Sequence, residues 1–494
     1  MTSGPMNALA RHSFAIATPT GRERRTRIVC TLGPASATPE ALDGLVAAGM
    51  DVARLNFSHG THAWHAEVMR RIREGERRWG KAVAILQDLA GPKLRLGLFE
   101  EGRTLLEAGA EFTLTADPVV GDPSQATVSH PEWLAGLTPG DQVWLADGLV
   151  QLRVEAVEGV RVRTRVTTGG EIGDHKGVSL PGAFSPESIL TEKDRVDLGF
   201  GIAHGVDFVA VSFVRRAADL GAVRDFLREH GAQIPLVAKV ERAEAVKNLD
   251  EILALADAVM VARGDLGLEV PLEEVPIIQK AVVRHARVAR VPVIIATEML
   301  ESMVEHRRPT RAEVSDVATA IGDEVDAIML SEETATGKHP VEAVAMMARI
   351  AARAEQEIPR RPAEWRRHEI FTMPQAIADA ACHAARDLDA RAIVAFTQSG
   401  FTARLISQER PESPIIALTP SPEIQRRLAL CWGVSARLIR LVDTTDEMVE
   451  EVEAQLLADG TVERNDVLVI ISGSPMWVSG TTNLLKLHRV GDRR

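Results

Sequence analysis

The chain contains no tyrosine, and aromatic residues make up only 4% of its 494 positions. A tyrosine general acid is therefore excluded, as is a broad aromatic platform for stacking bases. Cysteine is nearly as scarce: Cys30, Cys382 and Cys431 lie far apart with no CxxC spacing. That excludes a disulfide scaffold and a thiolate zinc site and suits a reducing compartment, so a cytoplasmic location is expected. No uninterrupted apolar run reaches the ~18 residues of a membrane-spanning helix, and no membrane partner is expected. Net positive charge is missing too. A formal charge of -12 argues against nucleic-acid partners, so any anionic substrate must be captured by local Arg and Lys.

What remains is an ordinary globular composition, 45% hydrophobic and 26% charged. At roughly 150 residues per domain the length suggests about three domains. Residues 1–24 mix small, polar and basic side chains around one short apolar stretch, Phe14-Ala15-Ile16-Ala17, and are expected to form a disordered tail. A transit peptide is the alternative, since acids are absent before Glu23.

From residue 27 the pattern is one of β-rich runs separated by amphipathic stretches. Eight runs occur, at 27–33, 51–58, 82–89, 208–214, 234–241, 257–265, 292–298 and 326–333. Such a rhythm predicts an α/β fold, a (β/α)8 TIM barrel over 25–91 and 182–360, with an open doubly wound sheet as the alternative. No repeat stands out beyond this rhythm. The gap at 92–181 carries period-two alternation at 160-VRVRTRV-166 and turn pairs Asp147-Gly148, Glu158-Gly159 and Gly169-Gly170. It reads as an all-β domain inserted over the barrel mouth as a lid. Residues 361–494, with runs at 391–397, 414–419, 435–439, 466–473 and 483–490, read as a C-terminal α/β domain of doubly wound type.

A βα barrel carries its site at the carboxyl ends of its strands. Alternation places Arg54, Asn56 and Ser58 on one face, with Leu55 and Phe57 on the other. The third run supplies Asp88. Lys239-Val240-Glu241 ends the fifth, where a structural ion pair is the competing reading. Arg263-Gly264-Asp265 ends the sixth in a turn suited to anion binding. Thr297, a site residue or a helix N-cap, ends the seventh, and Ser331 ends the eighth. Two carboxylates, Glu241 and Asp265, suit Mg2+, which keeps several waters. Arg54 and Lys239 suit a phosphoryl group. The residues alone thus point to Mg2+-assisted chemistry on a small phosphorylated acid.

The strings 54-RLNFSHG-60, 176-KGVSLPG-182, 260-MVARGDLGLE-269, 296-ATEMLESM-303, 309-PTRAEVSDVA-318 and 328-IMLSEETATGKHP-340 occur in the order found in one family. Over residues 26–494 the sequence resembles pyruvate kinase. The resemblance implies phosphoryl transfer from phosphoenolpyruvate to ADP, giving pyruvate and ATP. It implies that Glu241 and Asp265 bind Mg2+ (or Mn2+), that Lys239 steadies the transferring phosphoryl group and the enolate, and that Arg54 holds the phosphate. Gly264, Asp265 and Thr297 would hold the carboxylate. Thr297 and Ser331 would hold a water relay for enolate protonation, neither being the sole donor. His59, Arg95 and Lys176, with Asn56, match positions near the nucleotide. Asn56, Ser58, Asp88 and Leu89 match a monovalent-cation site.

The resemblance further implies a homotetramer, and a regulatory or oligomerisation role for the C-terminal domain. Thr397, Ser399, Gly400 and Thr402 would form a turn for a phosphorylated effector, with 480-GTTN-483 facing it. An ordinary strand-to-helix turn is the competing reading of that segment. The sequence departs from the family at Gln87, Glu298 and Glu332, the last standing where Gly is usual. Lys93 stands where members that need K+ carry Glu. An ammonium folded toward Asn56, Ser58 and Asp88 would replace the ion, so K+ is expected not to be required. The alternatives are another phosphoenolpyruvate-using barrel enzyme, which would lack the lid and C-terminal domain, and a silent metabolite-binding regulator, which would lack a ligand.

Overall fold

The computed structural model describes residues 24–180, 188–358, 372–441, 444–473 and 482–492. The expected tail, apart from Arg24, lies outside these residues, as do the junctions near 182 and 361 and Gly480-Thr481 of the facing loop.

Eight parallel strands close into a barrel: Arg27–Thr31, Val52–Asn56, Ala84–Asp88, Phe208–Val211, Leu236–Val240, Ala258–Ala262, Val293–Ala296 and Ala327–Leu330. All eight fall inside the eight predicted runs. The amphipathic stretches between them become helices with legible ends. Thr38 caps Pro39–Ala48 by accepting from the Ala41 N–H, and Gly49, at φ 128°, ends it.

Strand parity splits the core into two layers. Val52, Ala84, Val237, Met260, Ile294 and Met329 fill the barrel interior. Their neighbours, such as Ala53, Ile85, Ala238 and Ile295, pack outward under the helices. Leu430 of the C-terminal domain is buried in the interior cluster and plugs the barrel floor.

An internal repeat missed in the sequence appears at that floor. Asp51, Asp207, Asp257 and Asp326 each stand just before an even-numbered strand. Each carboxylate accepts the N–H of the preceding odd-numbered strand: Ile28 (2.9 Å), Ile85 (2.8 Å), Leu236 (2.9 Å) and Val293 (2.9 Å). Each also pairs with arginine: Asp51 with Arg24, Asp207 with Arg73 and Arg426, Asp257 with Arg224, and Asp326 with Arg410.

Eight short strands between Arg103 and Ser179 form a curled six-stranded sheet and a two-stranded ribbon. The predicted alternation is realised in Arg161–Thr168, where Val162, Thr164 and Val166 are buried and Val160 falls in the preceding turn. This lid is seated over the mouth. A small cavity of about 60 Å3 separates its Pro92, Trp133 and Leu180 from Phe213, Arg242 and Leu268 of the barrel side. The C-terminal domain is a five-stranded sheet, Ala392–Phe396, Ile415–Thr419, Val434–Leu438, Val467–Gly473 and Thr482–Arg489, with only the last strand antiparallel.

Candidate active site

Parity aims the polar residues. Arg54 and Asn56 follow Val52 on the interior face, while Leu55 and Phe57 join the outer layer. By the same rule Asp88 follows Leu86, Lys239 and Glu241 follow Val237, and Ser331 follows Met329. All emerge at one end of the barrel.

At the bottom of the mouth lies a tight network of charges. The Lys239 ammonium is 2.7 Å from Glu241 Oε1, 3.3 Å from Asp88 Oδ1 and 2.8 Å from Ser212 Oγ. Arg54 donates from Nε to Asp88 Oδ2 (2.7 Å) and from its guanidinium to Thr31 Oγ1 (2.9 Å). Burial pulls the Lys239 ammonium down, but Asp88 and Glu241 outweigh it and hold the pKa above its usual range. Burial pushes Asp88 up, and Lys239 and Arg54 more than reverse that. Both groups are therefore charged at neutral pH. Glu241 is 1% exposed and accepts the Phe213 N–H at 2.8 Å. Burial raises its pKa, the Asp265 carboxylate adds to the effect, and Lys239 opposes it.

Glu241 and Asp265 face a common space. Among the described residues no group of three or more His, Cys, Asp or Glu is placed to hold a metal. A two-carboxylate site with a repulsive pair of anions fits Mg2+, which takes its other oxygens from water and substrate. It does not fit a closed structural zinc site.

The sixth-strand loop forms a single helical turn, Arg263–Leu266. The Gly264 N–H donates to Thr297 Oγ1 (2.8 Å), and the Thr297 hydroxyl donates to the Ala296 carbonyl (2.6 Å). Two of the groups expected to hold a substrate carboxylate thus satisfy one another. Thr297 is not a helix N-cap: it sits at φ 69°, and the next helix is a short 3-10 turn starting at Glu301. Arg263 braces this corner by donating to the Thr297 carbonyl and pairing with Asp316, both at 2.8 Å. The Ser331 hydroxyl is buried without a hydrogen-bond partner, while its N–H donates to Glu333 (2.7 Å).

One expectation needs correction. Lys93 does not fold toward Asn56, Ser58 and Asp88. Its ammonium lies 3.7 Å from Asp265 Oδ1, because the lid hinge carries it past Gly177 toward the sixth-strand loop. Both oxygens of Asp88 already face Arg54 and Lys239. Leu89 turns its side chain into the outer apolar layer, and only its carbonyl, which accepts from Ser212 Oγ (2.8 Å), serves the mouth.

Asn56 Oδ1 accepts the Ser58 N–H (3.0 Å), shaping the loop that exposes His59. Burial, then Arg95, Lys93 and Arg54, push the His59 imidazole below its usual pKa. Arg95 and exposed Lys176 lie on adjoining lid segments, joined where Arg95 pairs with Gly177.

Gln87 faces the helices, not the mouth. It is fully buried and donates to the Asp197 carbonyl (2.7 Å). Glu298 and Glu332 are exposed, and with Glu333 they add to burial in raising Glu301 to about 7.

Sequence reasoning missed Thr31, Ser212, Phe213 and Arg263. Parity was the available signal for two of them. Thr31 follows Val29, and Ser212 follows Phe208 and Ala210, on the interior face. Phe213, at φ 58°, carries no comparable signal.

In the C-terminal domain Gly400, at φ 82°, starts the helix Phe401–Gln408 with no side-chain cap. Thr397 is buried, and Thr402 Oγ1 shares a hydrogen bond with Thr482 Oγ1 (2.7 Å). Ser399 is exposed at the same turn. No serine or threonine side chain caps the helix, and the segment forms a strand-to-helix turn.

No helix among the described residues is long and apolar enough to cross a membrane. The sequence matches the family profile "Pyruvate kinase, barrel domain" over residues 23–344 and "Pyruvate kinase, alpha/beta domain" over 375–488. It is 45% identical over 474 residues to a pyruvate kinase of Corynebacterium efficiens, covering 95% of this chain and 98% of that one. A pyruvate kinase of Mycobacterium tuberculosis is 43% identical over 473 residues, covering 95% and 99%. Among solved structures, a pyruvate kinase from Cryptosporidium parvum superposes with a TM-score of 0.86 at 35% identity, covering 94% of this chain and 96% of that one. Barrel, lid, C-terminal domain and sequence agree, and the chain belongs to the pyruvate kinase family.

Proposed function

We infer that the Lys239-centred mouth is where this phosphotransferase moves the phosphoryl group of phosphoenolpyruvate onto ADP. The bond between phosphorus and the enol oxygen breaks, a bond to the terminal ADP oxygen forms, and the enolate takes a proton at carbon to give pyruvate. The observation that carries the reading is the buried Lys239 ammonium held between Asp88 and Glu241. A fixed positive charge there stabilises the phosphoryl group in transit and the enolate it leaves, with no reorganisation at the moment of reaction.

Arg54, anchored by Asp88 and Thr31, presents its remaining donors to the phosphate. Gly264, Asp265 and Thr297 bind the substrate carboxylate, which takes the Gly264 N–H from Thr297 as it enters. Glu241 and Asp265 would hold Mg2+ (or Mn2+), which supplies positive charge to the phosphoryl and enolate oxygens when bound. The free Ser331 hydroxyl, with Thr297, holds the water that relays the proton. Asn56, His59, Arg95 and Lys176 receive the ADP phosphates as the lid sits over the mouth. Lys239→Met is expected to lower turnover by a factor of order 10³, with phosphoenolpyruvate binding less affected. Turnover within tenfold of the parent, in protein with an unchanged melting profile, would refute the role.

The reading extends to three further points. K+ is not required, because Lys93 adds a cation at the mouth and Asp88 is already neutralised by Arg54 and Lys239. Turnover in tetramethylammonium buffer is expected to change less than about tenfold on adding KCl at fixed ionic strength, and Lys93→Glu is expected to create a K+ requirement. The uncapped turn at Thr397, Ser399, Gly400 and Thr402 receives a phosphorylated effector. An exposed apolar groove of about 540 Å3 between helices Arg311–Gly322 and Pro340–Ala354 supports self-association as a homotetramer.

A further inference from the structure

The loop after the second barrel strand presents His59 to the mouth, and three side chains hold its backbone. Asn56 Oδ1 accepts the Ser58 N–H (3.0 Å), the Lys193 ammonium donates to the Phe57 carbonyl (2.7 Å), and His65 Nε2 lies 3.0 Å from the His59 carbonyl oxygen. The last is the only side-chain hydrogen bond to the backbone of His59 or Gly60 among the described residues. A carbonyl can only accept, so the His65 ring carries a proton on Nε2 and donates it. Its Nδ1 is buried without a partner. Burial pushes the imidazole below its usual pKa, which keeps the ring in this neutral form.

His65 is the fourth residue of the helix His62–Trp79, which Thr61 caps by accepting the Trp64 N–H. Helical side chains lean toward the N-terminus, so a ring at this position covers the residues just before the cap. The His65 ring is 2% exposed and stacks on Phe57, with centroids 4.1 Å apart and planes within 8° of parallel. Gly60, at φ 77°, lets the loop fold down onto it, since a Cβ there would lie 3.3 Å from Nε2. Packing alone does not account for an imidazole here. A phenyl ring would stack equally well and would leave no buried nitrogen unpaired. What the imidazole adds is the one donor that ties down the His59 carbonyl.

We propose that His65 is a positioning residue for ADP: its Nε2–H fixes the His59 backbone and so sets the pose in which His59 meets the nucleotide phosphates, an inference that rests on the nucleotide role given to His59 above. Calorimetric titration of the full chain with ADP in the presence of Mg2+, together with steady-state kinetics, tests it. His65→Phe keeps the stacked ring and removes the donor, and is expected to weaken ADP about fivefold or more while KM for phosphoenolpyruvate changes less than about twofold. His65→Gln places an amide N–H where Nε2 stood and is expected to bind ADP within about twofold of the parent. A merely structural histidine would instead shift the melting profile and both substrates alike. Should the Phe variant melt earlier than the parent, His65→Leu, which also lacks the donor, is read in its place. His59→Ala separates the two readings. If it weakens ADP but His65→Phe does not, the positioning role is overturned and the nucleotide role of His59 stands. If His59→Ala leaves ADP binding unchanged, both fall. Equal losses for His65→Phe and His65→Gln, or an equal loss for phosphoenolpyruvate, also overturn the proposal.

Discussion

Gln87 and Gly201 show how one residue choice fixes another. The Gln87 amide is fully buried between the third barrel strand and the helix Glu192–His204, and a Cβ at Gly201 would lie 2.0 Å from its Oε1. Gly201→Ala is therefore expected to lower stability by about 1–3 kcal/mol through overpacking. In a Gln87→Ala background the three nearest atoms to that Cβ are gone and helix propensity is gained, so the same change should be neutral or stabilising. A double-mutant cycle by urea unfolding checks the pair, and additive losses would rule out the coupling. The adjacent Asp88 points the opposite way, into the mouth. Alternation alone told which of these two neighbours belongs to the chemistry, but not that Gln87 needs a glycine 114 residues later.

At the scale of elements, the four floor aspartates lock the barrel strands in pairs. Asp207 is 1% exposed and holds the Ile85 N–H, Arg73 and Arg426 together, so it joins two barrel strands to the C-terminal domain. Asp207→Ala leaves that N–H and two guanidinium groups without their acceptor, and is expected to cost about 3–5 kcal/mol. Asp207→Asn keeps an acceptor for the N–H and should lose less. Denaturant midpoints of both variants decide, and equal losses would assign the effect to charge alone. The existence and type of the strands were legible because period-two runs and capped amphipathic stretches follow from local chemistry. The aspartate repeat was not, since each carboxylate acts on a strand 21 to 122 residues earlier and the four intervals differ.

For the whole molecule, the lid decides whether the mouth is complete. It contributes Arg95 and Lys176, and its hinge places Lys93 beside Asp265. Replacing 92–181 with a short linker is expected to leave a folded barrel, because lid and barrel bury separate apolar clusters. Turnover should fall by a factor of order 10² or more as nucleotide contacts and water exclusion are lost. Circular dichroism with an ATP-formation assay tests this, and full activity would remove the lid from the mechanism.

The sequence by itself determined the barrel, the inserted β-domain, the C-terminal sheet and the inward set Arg54, Asp88, Lys239 and Glu241. Strand periodicity and strand-end polarity are local properties that survive without knowledge of neighbours. Only the tertiary structure decided where Lys93 goes, that Gly264 and Thr297 satisfy each other, that Thr31 and Ser212 complete the network, and that a cleft opens between the barrel floor and the C-terminal domain. Each depends on which chain segments meet in space, and a long flexible side chain or an interdomain gap leaves no periodic trace in the sequence.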